Sequence, residues 1–264
     1  MRADVFHEGE IAAQERAGER AVAARHGRML SDEIMAPVLP FLAQQQLVAV
    51  AADDDGRSWA SVWLGPPGFV ASRDARTLVI APARDRAAAD DPVLASLAPG
   101  SSLGVLAVEL RTRRRLRING WVASLTADAI TLAVEEVFPN CPKYIQRRDG
   151  AEQGGVAPRE GGTERGAALD ARRQALIART DTLFVASRHP QRGADASHRG
   201  GEPGFVHVLD DHTIRIPGYA GNSMFQTLGN FAVDPHAGVA CVDFEQGRIL
   251  SMTGIVTVSY GDQR

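Results

Sequence analysis

Residues 47 to 122 are repeated in residues 183 to 256, which restricts the chain to folds that can be built twice. Read without a gap, Leu47, Ala60, Ser61, Gly65, Pro67, Gly68, Phe69, Val70, Asp74 and Thr77 recur 136 positions later. Their counterparts are Leu183, Ala196, Ser197, Gly201, Pro203, Gly204, Phe205, Val206, Asp210 and Thr213. Further on the offset becomes 134, matching Gly104-Val105 to Gly238-Val239, Arg114 to Arg248, Leu116 to Leu250, and Gly120 with Val122 to Gly254 with Val256. Duplication over this span makes each half one structural unit and the chain a fused pseudo-dimer. Short apolar runs broken by Gly, Pro and Asp turns predict a small antiparallel barrel in each half.

Local signals fill in the elements. Residues 8 to 26 are rich in helix formers and predict one helix, with Gly18 its weak point and His26-Gly27 its end. A second helix is predicted over 31 to 46, capped by Ser31 or Asp32 and interrupted by Pro37 and Pro40. Strands are expected at 47–52, 59–63, 78–81, 103–110, 115–123 and 129–137, with Asp53 to Gly56 as a hairpin turn. A short helix is expected between Asp91-Pro92 and Pro99-Gly100. From 149 to 167 Gly, Glu, Arg and Pro dominate, which predicts a flexible linker between an N-terminal unit, 1–148, and a C-terminal unit, 168–264. A helix then precedes strands that resume at Leu183.

Composition excludes several classes. A net charge of −3 at pH 7 gives no reason to expect nucleic acid or an anionic membrane as partner. No apolar run is long enough to span a bilayer, and the N-terminus lacks the apolar region of a secretory signal, so a cytoplasmic location is expected. Cys141 and Cys241 lie in unlike contexts and read as two unpaired thiols. His7, Glu8 and Glu10 lack metal-site spacing, so no metal is expected. The run Arg111 to Arg117 reads as a hairpin turn with solvated arginines.

The two halves differ where chemistry would sit. The second has His198-Arg199-Gly200 where the first has Val62-Trp63-Leu64, and Gly221-Asn222-Ser223 has no equivalent in the first half's Ala83 to Ala87. A guanidinium after a strand, flanked by small residues, can hold a phosphate bidentately. Gly221-Asn222-Ser223 reads as the start of a helix, whose backbone N–H groups favour the same anion; an ordinary helix cap is the alternative. Ser197 and His198 invite a nucleophilic reading, but no third group completes a triad. His198 is either a ligand contact or a hydrogen-bonded strand residue. The first copy has lost its site.

Five stretches carry a resemblance to a known family. They are Phe6-His7-Glu8-Gly9-Glu10, Asn140-Cys141-Pro142-Lys143-Tyr144-Ile145-Gln146-Arg147-Arg148, Ala186-Ser187-Arg188, Ser197-His198-Arg199-Gly200-Gly201 and Gly221-Asn222-Ser223-Met224-Phe225. Gly229-Asn230 and Asp243-Phe244-Glu245 also fit. The chain resembles the pyridoxamine 5′-phosphate oxidase-like, FMN-binding split-barrel family, in its two-domain bacterial form. The resemblance implies a mainly β fold with peripheral helices, in which two tandem split barrels form a pseudo-dimer and FMN sits in the cleft between them. The implied cofactor-binding residues are Ser197, His198, Arg199, Gly200, Pro217, Gly221, Asn222, Ser223 and Met224 from the second half. Lys143, Tyr144 and Trp63 would join them across the cleft, with core packing the alternative for Trp63. It further implies an oxidoreductase acting on a small molecule or electron donor, as a monomeric pseudo-dimer or a homodimer. Two rivals share the fold: a non-catalytic flavin- or haem-binding module, and a cofactor-free assembly domain. Family members continue with further strands beyond the region of Gly254 to Val258, so an incomplete second barrel with an exposed edge is expected here.

Overall fold

The computed structural model describes residues 5–54, 56–82, 90–148 and 162–260. The chain is mainly β and every strand pairing is antiparallel. The first half forms a seven-stranded sheet from β1 (Leu47–Asp54), β2 (Arg57–Leu64), β3 (Val70–Asp74), β4 (Thr77–Ile80), β5 (Ser102–Glu109), β6 (Arg114–Leu125) and β7 (Ile130–Pro139), in the order β2-β1-β5-β6-β7-β4-β3. The second half contributes β8 (Thr182–His189), β9 (Gly193–Gly200), β12 (His236–Asp243) and β13 (Arg248–Ile255) as a four-stranded sheet in the order β13-β12-β8-β9. A separate hairpin pairs β10 (His207–Val208) with β11 (Ile214–Arg215). Neither sheet closes into a barrel among the described residues. No helix is long and apolar enough to cross a membrane among the same residues.

The repeat seen in the sequence is visible in the pairing. The order β2-β1-β5-β6 in one sheet is the order β9-β8-β12-β13 in the other. Leu47 pairs with Leu64 where Thr182 pairs with Gly200, and Val48 pairs with Ala107 where Leu183 pairs with Cys241. Leu47 therefore corresponds to Thr182 and not to Leu183, which corrects the gap-free alignment by one residue. Two residues join β1 to β2 but three join β8 to β9, and that insertion accounts for the slip. Facing confirms it: Val48 and Leu183 each lie in the core on their own sheet's outer side, whereas Leu47 lies in the core between the sheets. In a strand a one-residue shift reverses every side chain, so burial separates the two alignments.

The sheets pack face to face through small residues and a few large ones, including Ala49, Ala51, Ala60, Leu106, Phe184 and Ala196. Two glycines set the approach. A Cβ on Gly104 of β5 would lie 2.8 Å from the β9 backbone at Ala194, Asp195 and Ala196. A Cβ on Gly238 of β12 would lie 2.7 Å from the β2 backbone at Ser58, Trp59 and Ala60. These are equivalent contacts, made reciprocally between the two sheets.

Helices flank the sheets. The single helix expected over 8 to 26 breaks at Gly18 (φ 69°) into α1 (Glu8–Arg16) and α2 (Arg20–His26). His7 caps α1, accepting from the Gly9 N–H while the His7 N–H donates to Glu10. The helix expected over 31 to 46 is reduced to a 3₁₀ turn, Ala36–Val38, and α3 (Leu39–Ala43), because two prolines deny it backbone donors. Ser31 caps no helix; it bridges to Val137 instead. Asp91 caps α4 (Pro92–Ser96), and Asp170 caps α5 (Ala171–Arg179). The last helix is α6 (Gln226–Val233). α1 packs on α6, and Phe6, Ala23, Phe138 and Met224 form a small core. The N-terminal helices thus bear on the second half as well as the first. Residues 149–161 of the expected linker, and Ala83 to Ala87 with Arg84, lie outside the described residues; 162–167 are exposed and irregular.

Candidate functional site

β9 is an edge strand of the second sheet, and β6 of the first sheet runs against it. Alternation puts Asp195, Ser197 and Arg199 on one face of β9 and Ala194, Ala196 and His198 on the other. Arg117 of β6 reaches the first group. Its Nη1 lies 2.8 and 2.9 Å from the two Asp195 carboxylate oxygens, and its Nη2 donates to Ser197 Oγ at 2.7 Å. Asn119 Nδ2 adds a bond to Asp195 at 3.1 Å, and the Ser197 and Thr227 hydroxyls meet at 2.5 Å. Arg117 and Asp195 are nearly dry, at 6% and 5% side-chain exposure. Burial pushes the Asp195 carboxyl above the usual carboxylate range, with Arg117 the main influence opposing it.

Beside this satisfied pair lies a group of polar atoms with no partner. Arg115 Nε, Arg117 Nε, Asn140 Oδ1 and both ring nitrogens of His198 are buried without a hydrogen bond. All four residues line one large cavity of about 3170 Å³, together with Arg199 and Lys143. Arg199 is half-buried, and its guanidinium makes no hydrogen bond or ion pair among the described residues. Burial, then Arg117, lowers the Arg199 guanidinium, with Asp195 acting the other way. Arg115 is drawn down to about 10 by burial and by Arg117, while its Nη2 donates to the Cys141 carbonyl. Burial, then Arg115 and Arg199, holds His198 well below the ordinary imidazole value, so the ring is neutral. It meets Phe184 edge-on at 5.8 Å. An unmet buried polar atom costs roughly 1–3 kcal/mol, and these line a space in which a ligand would repay them. The guanidinium groups of Arg115, Arg117 and Arg199 lie close enough to influence one another, so the corner is cationic.

The cavity is wider than the roughly 300–1,000 Å³ of a small-molecule pocket, so the chemistry lies in this corner and not in its whole extent. Of the residues expected from sequence, Ser197, His198, Arg199, Gly200, Lys143, Tyr144, Pro217, Gly221, Asn222 and Ser223 all line it. Gly200 has a packing reason to be glycine, since a Cβ there would fall 2.0 Å from the Tyr144 carbonyl oxygen. Lys143 is exposed, and Tyr144 stacks on Tyr219 with centroids 4.9 Å apart and donates its hydroxyl to Ala220 O at 3.2 Å.

Three expectations need correction. Gly221-Asn222-Ser223 does not open a helix: α6 starts at Gln226 after Phe225, a left-handed N-cap residue without a side-chain cap bond. Asn222 Oδ1 accepts from the Met224 N–H instead, at 3.2 Å. Met224 is fully buried against Phe6, Ala23 and Phe138, away from the cavity. Trp63 is fully buried in the core on the first sheet's outer side and does not line the cavity either.

Asn119 and Asp195 escaped the sequence reading, Asn140 entered it only within a stretch carrying the resemblance, and Arg115 and Arg117 were expected to be solvated but are half-buried and buried. Within the basic run, Arg115-Leu116-Arg117-Ile118-Asn119 alternates polar with apolar, the period of a half-buried strand; only Arg111 to Arg113 form the solvated turn, and Arg114 opens β6 paired with Glu109. His7, Glu8 and His189 bring possible metal-ligating atoms within 4.8 Å of one another. The backbone N–H groups of Gly9 and Gln191 donate to Nδ1 of the two histidines, at 3.2 and 3.1 Å. That puts each ring proton on Nε2, facing Asn230 at 3.0 Å and Glu8 at 3.2 Å, so neither ring offers a cation a lone pair. Cys241 is buried, which pushes its thiol up to about 12. Neither a protein-family model nor any curated protein matches this chain.

Proposed function

We propose that this chain is an FMN-binding flavoprotein of the pyridoxamine 5′-phosphate oxidase-like type, an oxidoreductase acting on a small molecule in the cytoplasm. The observation that carries this reading is the corner at the junction of the two sheets where the Arg199 guanidinium, Arg115 Nε and both ring nitrogens of a neutral His198 have no partner among the described residues. A phosphate dianion supplies the charge and acceptor oxygens that these groups lack, and Asp195 does not compete for them because Arg117 and Asn119 already hold it. Ser223 lines the same cavity, and the Tyr144–Tyr219 stack offers an aromatic surface for a flat ring system. When bound, the isoalloxazine supplies the electron or hydride transfer, and this chain supplies position and electrostatics.

The matched strand order and register, with the reciprocal Gly104 and Gly238 contacts, support reading the two halves as tandem split barrels in a pseudo-dimer. On that reading one FMN binds per chain, because the equivalent corner is built of Val62, Trp63, Ile249 and Ser251.

An absorption spectrum of the purified protein, with mass spectrometry of the released ligand, tests the proposal. Flavin bands and FMN are expected. A Soret band would transfer the site to haem, with His198 as the candidate contact. A colourless protein that excess FMN fails to stabilise would sink the flavin reading, since a ligand at 100 times its Kd adds about 2.7 kcal/mol. Arg199→Ala should weaken FMN at least about tenfold, or 1.4 kcal/mol, and riboflavin much less. Equal loss for both ligands would remove Arg199 from the phosphate.

A further inference from the structure

Among the described residues, four outside glycine have left-handed backbone: Arg113, Tyr144, Ser223 and Phe225, with φ between 57 and 65°. Arg113 belongs to the solvated turn, but the other three line the cavity. Non-glycine residues keep this conformation where surrounding contacts over-determine it. At Ser223 those contacts come from the far end of the sequence. His26 of α2 meets the Asn222 carbonyl through Nδ1 at 2.7 Å, and since a carbonyl only accepts, Nδ1 carries the proton. Gln14 of α1, fully buried, donates Nε2 to the Met224 carbonyl at 2.9 Å. The Met224 side chain is sealed between Phe6, Ala23 and Phe138. The residues on either side of Ser223 are thus pinned by the N-terminal helices, and Ser223 itself faces the cavity.

We infer that Gln14 and His26 are positioning residues: the N-terminal helices clasp the segment 222–224 and hold Ser223 left-handed, as part of the anion site. This rests on the FMN reading for its ligand but not for its mechanics. Without the clasp, Ser223 relaxes toward right-handed backbone and the cavity wall has to be re-ordered when a ligand binds. Glycine adopts the left-handed form unaided, so it should release the site from its dependence on the clasp.

The test is a double-mutant cycle read by FMN titration and by amide hydrogen exchange of the ligand-free protein. His26→Ala should weaken FMN by about tenfold, and His26→Asn, whose amide N–H stands where Nδ1–H stood, should recover most of it. In a Ser223→Gly background, His26→Ala should add less than about twofold. Gln14→Leu, of similar volume, should repeat the effect if His26→Ala folds poorly. Additive losses in the two backgrounds, or no loss at all, would overturn the inference. Exchange at residues 222–226 should accelerate in His26→Ala without any ligand. If the wild type binds no FMN, faster exchange still supports the clasp while the flavin reading falls. Unchanged exchange overturns the clasp whatever the ligand result.

Discussion

The two equivalent corners of the packed sheets share a backbone and differ in chemistry. Where β9 meets β6, the residues are His198, Arg199, Arg115 and Arg117; where β2 meets β13, the register puts Val62, Trp63, Ile249 and Ser251. Arg117 crosses to Asp195 and Ser197, whereas Ser251 in the same position makes one bond, to the Ala60 carbonyl at 3.3 Å. Asp195 itself corresponds to Trp59. What the corners have in common is set by strand pairing and by the two glycines, which any side chain can accompany. What they do not share is a set of buried charges that are tolerable only together. Packing can therefore be copied while the chemistry of the corner changes, through the four positions above together with the Asp195–Trp59 difference.

The largest test of this contrast is Arg117→Ala. It leaves Asp195 buried and short of its cation, and breaking such a pair costs about 3–5 kcal/mol. Urea unfolding should show a loss in that range. A loss under about 1 kcal/mol would mean that Asp195 is not committed to Arg117 and that the polar corner is less coupled than its geometry implies.

A smaller effect comes from Glu10, whose carboxyl is buried behind the same corner and pushed up to about 8, by burial above all and then by Glu136 and Asp195. Its folded value lies above its unfolded one, so its contribution is full at low pH and is lost as pH rises toward 8. His7 acts in the opposite sense: burial and His189 lower it to about 4, so its contribution fades as pH falls below 6.5. The two slopes offset each other between about pH 4.5 and 6.5, leaving only the Glu10 decline above that. Unfolding free energy should therefore drop by about 2 kcal/mol from pH 6.5 to 8. Glu10→Gln should flatten that limb. A wild-type profile already flat there would mean that the carboxyl ionises without penalty.

Next in size are the glycines. Gly104→Ala and Gly238→Ala each drive a methyl into backbone across the interface, and overpacking of this kind costs about 1–3 kcal/mol. Reciprocal contacts predict losses that agree within about 0.5 kcal/mol. If only one variant suffers, the two halves do not approach each other symmetrically.

The internal repeat, the strand positions and the place of Arg199 at the cavity were legible in the sequence because each leaves a local mark: a repeat, an apolar run, a charge beside small residues. The one-residue slip between Leu47 and its true counterpart was hidden, since matching residues cannot show which face a strand turns inward. Arg115 and Arg117 were hidden for a different reason. In a run of arginines the solvated and the buried look alike until a strand period separates them, and the carboxylate that compensates Arg117 lies 78 residues away. Ser223 was expected at the start of a helix and instead lines the cavity outside any helix. The backbone there is held by Gln14 and His26, contacts between sequence ends that no local pattern encodes.

The smallest expected effect is at the apolar corner. Ser251 is half-buried, its one hydrogen bond goes to a backbone carbonyl, and no charge depends on it. Ser251→Ala should change unfolding free energy by no more than about 0.5 kcal/mol, the range of ordinary near-surface substitutions. It should leave FMN affinity untouched, although it occupies the position of Arg117. The comparison is informative because backbone geometry is held constant: Arg117 of β6 and Ser251 of β13 hold the same register in equivalent strands. A measured loss approaching that of Arg117→Ala would show that the crossing bond itself stabilises the junction. The difference between the corners would then lie in packing and not in the desolvated charge that only one of them carries.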